Sequence, residues 1–396
     1  MKKNNWLLII LTFAFLTRVL FLASPAHEYF DEVYHAFTAK IILHGDPKAW
    51  EWWNPHPEGF AYEWTHPPLA KEIMALSMAF WGENAFAWRL PAALAGTVSV
   101  YLVYLIGKKL FGDAKVGLLA SSIFALDGLV LVMSRIGMND IYFLVFMLAS
   151  FFFFIREKHF VSALSLGLAA ASKWTVFWFL PILVIAHFAL GRKFKKEYLW
   201  YLILPPLVYL LSYVPMFLTG HDLGIFWGLQ KQMWWYHTGL KATHPYTSPW
   251  WSWPILLKPI WLYHEVASSA SASGKIANIY ALGNPIVFWF GLASVLVAIK
   301  WAFTKKMKEL GLIIFAYGSF FIPWAVSPRI MFLYHYLPSL PFLAILGGFV
   351  LKKYPKLILP FYSLAFLLFL YFYPHWTGME IPIWLDNSYY WFSNWR

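Results

Sequence analysis

Asp31 and Glu32 are adjacent carboxylates that follow the first apolar run of the chain by only a few residues. Acids held at that depth suit a displacement at a carbon carried on a lipid phosphate. One carboxylate takes the proton of the attacking hydroxyl, a task that burial favours by raising its pKa. A bare Asp-Glu dipeptide also reads as a solvated loop, so the chemistry must come from the residues around it.

Those residues are cationic and aromatic. His66-Pro67-Pro68-Leu69-Ala70-Lys71 opens a short apolar segment, with Pro pre-setting its first turn. His66 and Lys71 then stand near lipid head groups, where Lys71 either pairs with a phosphate or snorkels without further role. Arg89, Arg135 and Lys173 stand at the ends of apolar runs, and Asp140 closes the turn Ser134-Arg135-Ile136-Gly137-Met138-Asn139-Asp140. Cations on the outer side of a membrane are scarce, so each calls for an anionic ligand or a carboxylate partner. Arg329 precedes Phe332-Leu333-Tyr334-His335-Tyr336-Leu337-Pro338. Arg329 as fixed charge, with Tyr334 and His335 as hydrogen-bonding groups, suits a phosphodiester; an interfacial aromatic belt is the alternative. His244, Tyr246 and Trp253 lie in a stretch dense in Trp and Pro, a rigid surface for sugar rings or extended peptides, or a flap resting on the membrane. Asp127, inside an apolar run, needs a partner such as Ser134, Arg135 or a backbone group.

The elements that must hold these side chains are membrane helices. The chain has 396 residues, 60% hydrophobic and 13% charged, too little polar surface for a soluble globule. Continuous apolar runs of roughly 20 residues select helices over a barrel. Spans are expected near 6–24, 88–107, 116–134, 140–155, 160–174, 175–191, 198–218, 284–302, 310–326, 330–350 and 356–373. The fold class is therefore an all-α polytopic membrane protein with about eleven transmembrane helices. The first run reads as a retained helix, because Pro25 follows the small residues of its cleavage-like end.

Basic clusters such as Lys108-Lys109, Arg192-Lys193 and Lys352-Lys353 fall on alternate turns, so all can face the cytoplasm together with the N-terminus. The +12 net charge is thus a topology signal and not a nucleic-acid footprint. Carboxylates gather instead in residues 25–87, which with 219–283 form two large external loops, and the stretch from Ala267 to Gly274 reads as a flexible connector. The segment 66–81 is expected to lie at the interface. The whole chain, residues 1–396, reads as one membrane-embedded domain. Cys is absent, and no Gly-rich phosphate loop or His-Glu-x-x-His zinc pattern occurs. No residue set demands a metal. A transporter would place ionisable groups near mid-membrane and show internal repeats, whereas here the ionisable groups lie mainly in the outer loops and no repeat is seen.

In this order and near this spacing, Asp31-Glu32, the His66 to Lys71 motif, Arg89-Leu90-Pro91, the Ser134 to Asp140 turn, Ser172-Lys173-Trp174-Thr175, His244-Pro245-Tyr246 with Trp253-Pro254, and Phe332 to Pro338 resemble the protein O-mannosyltransferases of the membrane GT-C class, especially the short prokaryotic type. The resemblance runs from about residue 28 to the C-terminus. It implies inverting transfer of mannose from polyprenyl phosphate mannose to Ser or Thr hydroxyls of exported proteins, on the extracytoplasmic side of the cell membrane. No cofactor is implied, since the lipid-linked sugar is a substrate. By that similarity Asp31, with Glu32 beside it, is the catalytic carboxylate. Lys71, Arg89, Arg135, Lys173, Arg329, Tyr334 and His335 become candidates for the donor phosphate, and His66, Asp140, His244, Tyr246 and Trp253 for acceptor or sugar. The implied partners are the donor lipid, secreted or membrane protein acceptors, the bilayer and the export machinery. The second loop lacks the β-trefoil insertion of eukaryotic members, and Asn139 stands where the family's Met-Leu-Asp pattern has Leu. A related transferase moving aminoarabinose onto a lipid or glycan, or an inactive homologue, are the competing readings.

Overall fold

The computed structural model describes residues 3–266 and 274–396, so all but Gly274 of the expected connector lies outside the described residues. Helices dominate. In chain order they are α1 Lys3–Val19, α2 Glu32–Leu43, α3 Leu69–Trp81, α4 Ala85–Phe111, α5 Ala114–Ala125, α6 Gly128–Met133, α7 Asp140–Ile155, α8 His159–Ser172 and α9 Leu180–Ala189. There follow α10 Trp200–Leu211, α11 Val214–Leu218, α12 Leu223–Gly239, α13 Pro285–Thr304, α14 Lys308–Phe321, α15 Leu340–Lys353, α16 Ile358–Thr377 and α17 Ile383–Ser388.

Among the described residues, five stretches are long and apolar enough to cross a membrane: Ala85–Phe111, Pro285–Thr304, Lys308–Val326, Leu333–Lys353 and Pro355–Thr377. The expected span 88–107 lies within Ala85–Phe111, whereas others fall on shorter apolar helices, among them Asn5–Val19, Asp140–Ile155 and His159–Ser172. Two expected continuous spans are broken. The run 116–134 divides into α5 and α6 because the Asp127 carboxylate accepts from the backbone N–H of Val130 and so caps a new helix. Its other oxygen accepts from the N–H of Asn284, so its partners are backbone groups. The run 198–218 divides into α10 and α11, with Pro205 and Pro206 inside α10.

Residues 332–351 are all buried, which places α15 at the centre of the bundle. Helix α5 packs against both α4 and α15. Contact with α15 depends on Gly348, where a side chain would meet the backbone N of Ala120 at 2.6 Å. Lys352 of α15 also pairs with Asp113 at 2.6 Å, beside α5.

Both long segments between spans are structured. Residues 25–87 contain α2 and α3, which pack on each other, and α3 also packs on α4 and α8. Residues 219–283 contain α12 and two strands, an addition to the all-α expectation. Strand β1 (Ile260–Val266) pairs antiparallel with β2 (Lys275–Ala281), which pairs antiparallel with β3 (Ile381–Pro382). Helix α12 begins at an Asp222 cap and buries Phe226, Leu229 and Met233 against Trp50, Tyr213 and Met216.

Candidate active site

Asp31 is the residue before α2, with helical backbone angles of φ −73° and ψ −3° and no capping hydrogen bond from its side chain. An Asp in extended conformation would turn its carboxylate onto the helix end; here the carboxylate has no hydrogen bond or ion pair among the described residues. It lines a cavity of about 770 Å³. Phe30 before it has φ 51°, a left-handed conformation unfavourable for an aromatic residue. Such strain is kept where the surrounding packing over-determines the backbone, and Phe30 packs edge-on against Tyr334. Burial, and then the nearby Asp140 carboxylate, push the Asp31 carboxyl up to about 7, against the pull of Lys173. That suits a base working near neutrality.

Glu32 has the opposite environment, and the expectation that it shares the catalytic position is corrected. It is fully buried and faces α4. Both its oxygens receive Arg89, at 2.8 Å from Nε and 2.6 Å from Nη2, and Oε1 also accepts from the N–H of Gly137 at 2.8 Å. The remaining donors of Arg89 reach the carbonyls of Leu22, Pro25 and His27. Arg89 therefore has no group left for a donor phosphate, and neither residue lines the cavity.

Arg135 is also removed from the phosphate candidates. Its guanidinium caps the end of α1, donating to the carbonyls of Thr17, Arg18, Leu20 and Phe21. Lys71 is buried against Glu63 and donates to the carbonyls of Glu63 and His66. Tyr246 and Trp253 lie outside the lining as well. Tyr246 stands beside Trp261, and Trp253 is fully buried, donating to Ser248 Oγ at 3.0 Å and packing on Trp324. Sequence adjacency could not show the contacts of Arg89 and Arg135, because their partners lie 57 or more positions away.

The other expected residues converge on the cavity: Asp31, His66, Asp140, Lys173, His244, Arg329, Tyr334 and His335 all line it. Lys173 reaches Asp140 at 2.7 Å, leaving the second Asp140 oxygen without a partner. His335 accepts from the N–H of Phe332 at 3.0 Å and stacks on Trp324 with ring centres 4.2 Å apart. The Asn139 side chain donates to the carbonyl of Ser172, linking the Asp140 turn to the Lys173 turn.

The lining residues not singled out in the sequence as site candidates include His35, Glu63, Tyr236 and His237. Helical periodicity carried signals for three. His35 lies four residues after Asp31 on α2, and Tyr236 and His237 continue the face that buries Phe226, Leu229 and Met233. Glu63 had no such signal. His66 stacks between His35, at 6.1 Å, and His237, at 5.1 Å. Burial, then nearby cations, push His66 well below its ordinary value, so the ring is neutral there and its Nδ1 has no hydrogen-bond partner.

The assembled cavity thus offers an unpaired carboxylate, two cations and a wall of neutral imidazoles and aromatic rings. It can deprotonate a hydroxyl beside a bound anion.

Two regions of the chain match families. Residues 222–395 match the C-terminal four TMM region of protein-O-mannosyltransferase, and residues 65–216 match dolichyl-phosphate-mannose-protein mannosyltransferase. A polyprenol-phosphate-mannose–protein mannosyltransferase of Corynebacterium glutamicum is 24% identical over 98% of this chain and 92% of its own length. An undecaprenyl phosphate-alpha-4-amino-4-deoxy-L-arabinose arabinosyl transferase of Pseudomonas paraeruginosa is 27% identical, but over 65% of this chain and 48% of its own. Among solved structures, the protein O-mannosyltransferase Pmt1-Pmt2 complex of S. cerevisiae bound to the sugar donor gives a TM-score of 0.81 at 14% identity, covering 100% of this chain and 93% of that one.

Proposed function

Because this chain belongs to the protein O-mannosyltransferase family, we propose that it transfers mannose from a polyprenyl phosphate mannose to Ser or Thr hydroxyls of proteins. The observation that carries the reading is the unpaired Asp31 carboxylate in a cavity that also holds Arg329 and Lys173. The acceptor oxygen attacks the anomeric carbon while its proton passes to Asp31. The bond from that carbon to the phosphate oxygen breaks, and the polyprenyl phosphate leaves with the electron pair. One displacement inverts the anomeric centre and needs one base, in keeping with a single free carboxylate. Arg329 and Lys173 stabilise the charge that grows on the leaving phosphate.

The matching relatives named as mannosyltransferases span nearly the whole chain, whereas the aminoarabinose transferase spans about two thirds of it, which favours a protein acceptor. Basic clusters on alternate turns of the chain support a cavity facing the extracytoplasmic side of the membrane, where exported chains arrive. The reading calls for no cofactor beyond the lipid-linked sugar. The test is transfer of radiolabelled mannose from polyprenyl phosphate mannose to a Ser/Thr-rich peptide by the purified protein in detergent. Label that depends on Asp31 supports the reading, and absence of label with intact protein sinks it.

A further inference from the structure

Lys173 and Arg329 line the cavity, and they are held in different ways. Lys173 has a carboxylate partner, Asp140, at 2.7 Å. Arg329 has no carboxylate partner among the described residues and is held from one side by helix α12. Its Nη1 donates to Nδ1 of His237 at 2.5 Å, and the Tyr236 ring centre lies 5.1 Å from its Cζ. His237 Nε2 lies 2.9 Å from the carbonyl oxygen of Thr65. A carbonyl only accepts, so Nε2 carries the ring proton and Nδ1 presents its lone pair to Arg329.

We propose that His237 and Tyr236 are positioning residues that fix the Arg329 guanidinium for the phosphate of the lipid-linked donor without neutralising it. The proposal rests on the reading of the cavity given above. Its physical content is a choice of partner. A carboxylate would hold Arg329 as firmly but would cancel its charge and compete with the phosphate. A neutral imidazole and an aromatic face restrain the long side chain, lowering the ordering cost of binding, and leave the full charge for the ligand. Burial, then the Arg329 charge itself, push His237 down to about 4, so its lone pair is available at neutral pH. Arg329 Nε is buried without a partner. The clamp is supplied by the second long segment, and its depth is set by the packing of Phe226, Leu229 and Met233.

The experiment compares wild type with His237→Leu, His237→Asn and Tyr236→Leu. It measures the Kd of undecaprenyl phosphate by a direct binding assay, and the kcat and donor KM of transfer. His237→Leu is expected to raise both Kd and KM about tenfold while kcat stays within about twofold. His237→Asn, whose side-chain oxygen can accept from Arg329, is expected to restore most of the affinity. Unchanged Kd and KM in His237→Leu, or a loss confined to kcat, overturns the proposal. Should His237→Leu fail to fold, Tyr236→Leu carries the test: a rise of about threefold in Kd is expected, and none overturns it. A wild-type protein that neither binds undecaprenyl phosphate nor transfers mannose removes the parent reading and this one together. A wild type that does both, beside an equally competent His237→Leu, removes the clamp alone.

Discussion

Glu32 and Arg89 form a two-point ion pair, with Nε to Oε1 at 2.8 Å and Nη2 to Oε2 at 2.6 Å, both side chains almost completely buried. This pair ties α2 to α4 and leaves Asp31, one residue earlier, as the carboxylate open to the cavity. Two neighbouring acids thus have separate tasks.

Asp31→Asn removes the base while keeping size and polarity. Mannose transfer is expected to fall by at least about a hundredfold, in line with loss of a general base. Undecaprenyl phosphate binding and the melting temperature in detergent are expected to stay near wild type. An active Asp31→Asn enzyme would take the base role away from this residue.

Arg89→Ala strands the Glu32 carboxylate in the bundle. Removing one partner of a buried pair costs about 3–5 kcal/mol, so the expected outcome is poor yield and a large drop in melting temperature. A well-folded Arg89→Ala with weakened donor binding alone would return Arg89 to the phosphate site.

The Asp31 carboxyl, raised to about 7 by burial and then by Asp140, must be ionised to accept a proton. Transfer is therefore expected to rise with pH and level off above an inflection near 7, being lost as Asp31 protonates on the acid side. In Asp140→Asn a like charge disappears, so the inflection is expected to move to lower pH. A pH profile of kcat/KM checks both, and an inflection that stays in place in Asp140→Asn contradicts the coupling.

Arg329→Ala leaves the donor phosphate with Lys173 as its remaining cation in the cavity lining. The loss of a hydrogen bond to a charged group, about 1.5–3 kcal/mol, corresponds to a rise in donor KM of about tenfold or more. The fold should be little affected, because Arg329 ties together no buried ion pair. Kinetics at varied donor concentration, with a melting curve alongside, separates the two effects.

Gly96→Ala tests the packing behind the site. The added carbon would meet Ser134 Oγ at 2.2 Å and Ser134 Cβ at 2.5 Å, next to Arg135. Overpacking is expected to cost about 1–3 kcal/mol, read as a lower melting temperature.

By itself the sequence determined the solvent and the class of fold. Apolar runs of spanning length admit few alternatives to membrane helices, because hydrocarbon offers backbone groups no other partner. It also supplied many of the charged and histidine residues of the cavity: Asp31, His66, Asp140, Lys173, His244, Arg329 and His335 meet there, with Tyr334 beside them. Residue type restricted those candidates, since charged and polar groups are few in such a chain. The structure decided how those groups are paired. Glu32 and Arg89 stand 57 positions apart, and Arg329 and His237 stand 92 apart, so no local pattern could say which carboxylate would be neutralised and which cation left uncompensated. Those assignments depend on how α2, α4 and α12 pack against their neighbours. A charge in a low-dielectric interior is governed by the nearest opposite charge and by its hydrogen bonds, and only the tertiary structure brings those within a few ångströms.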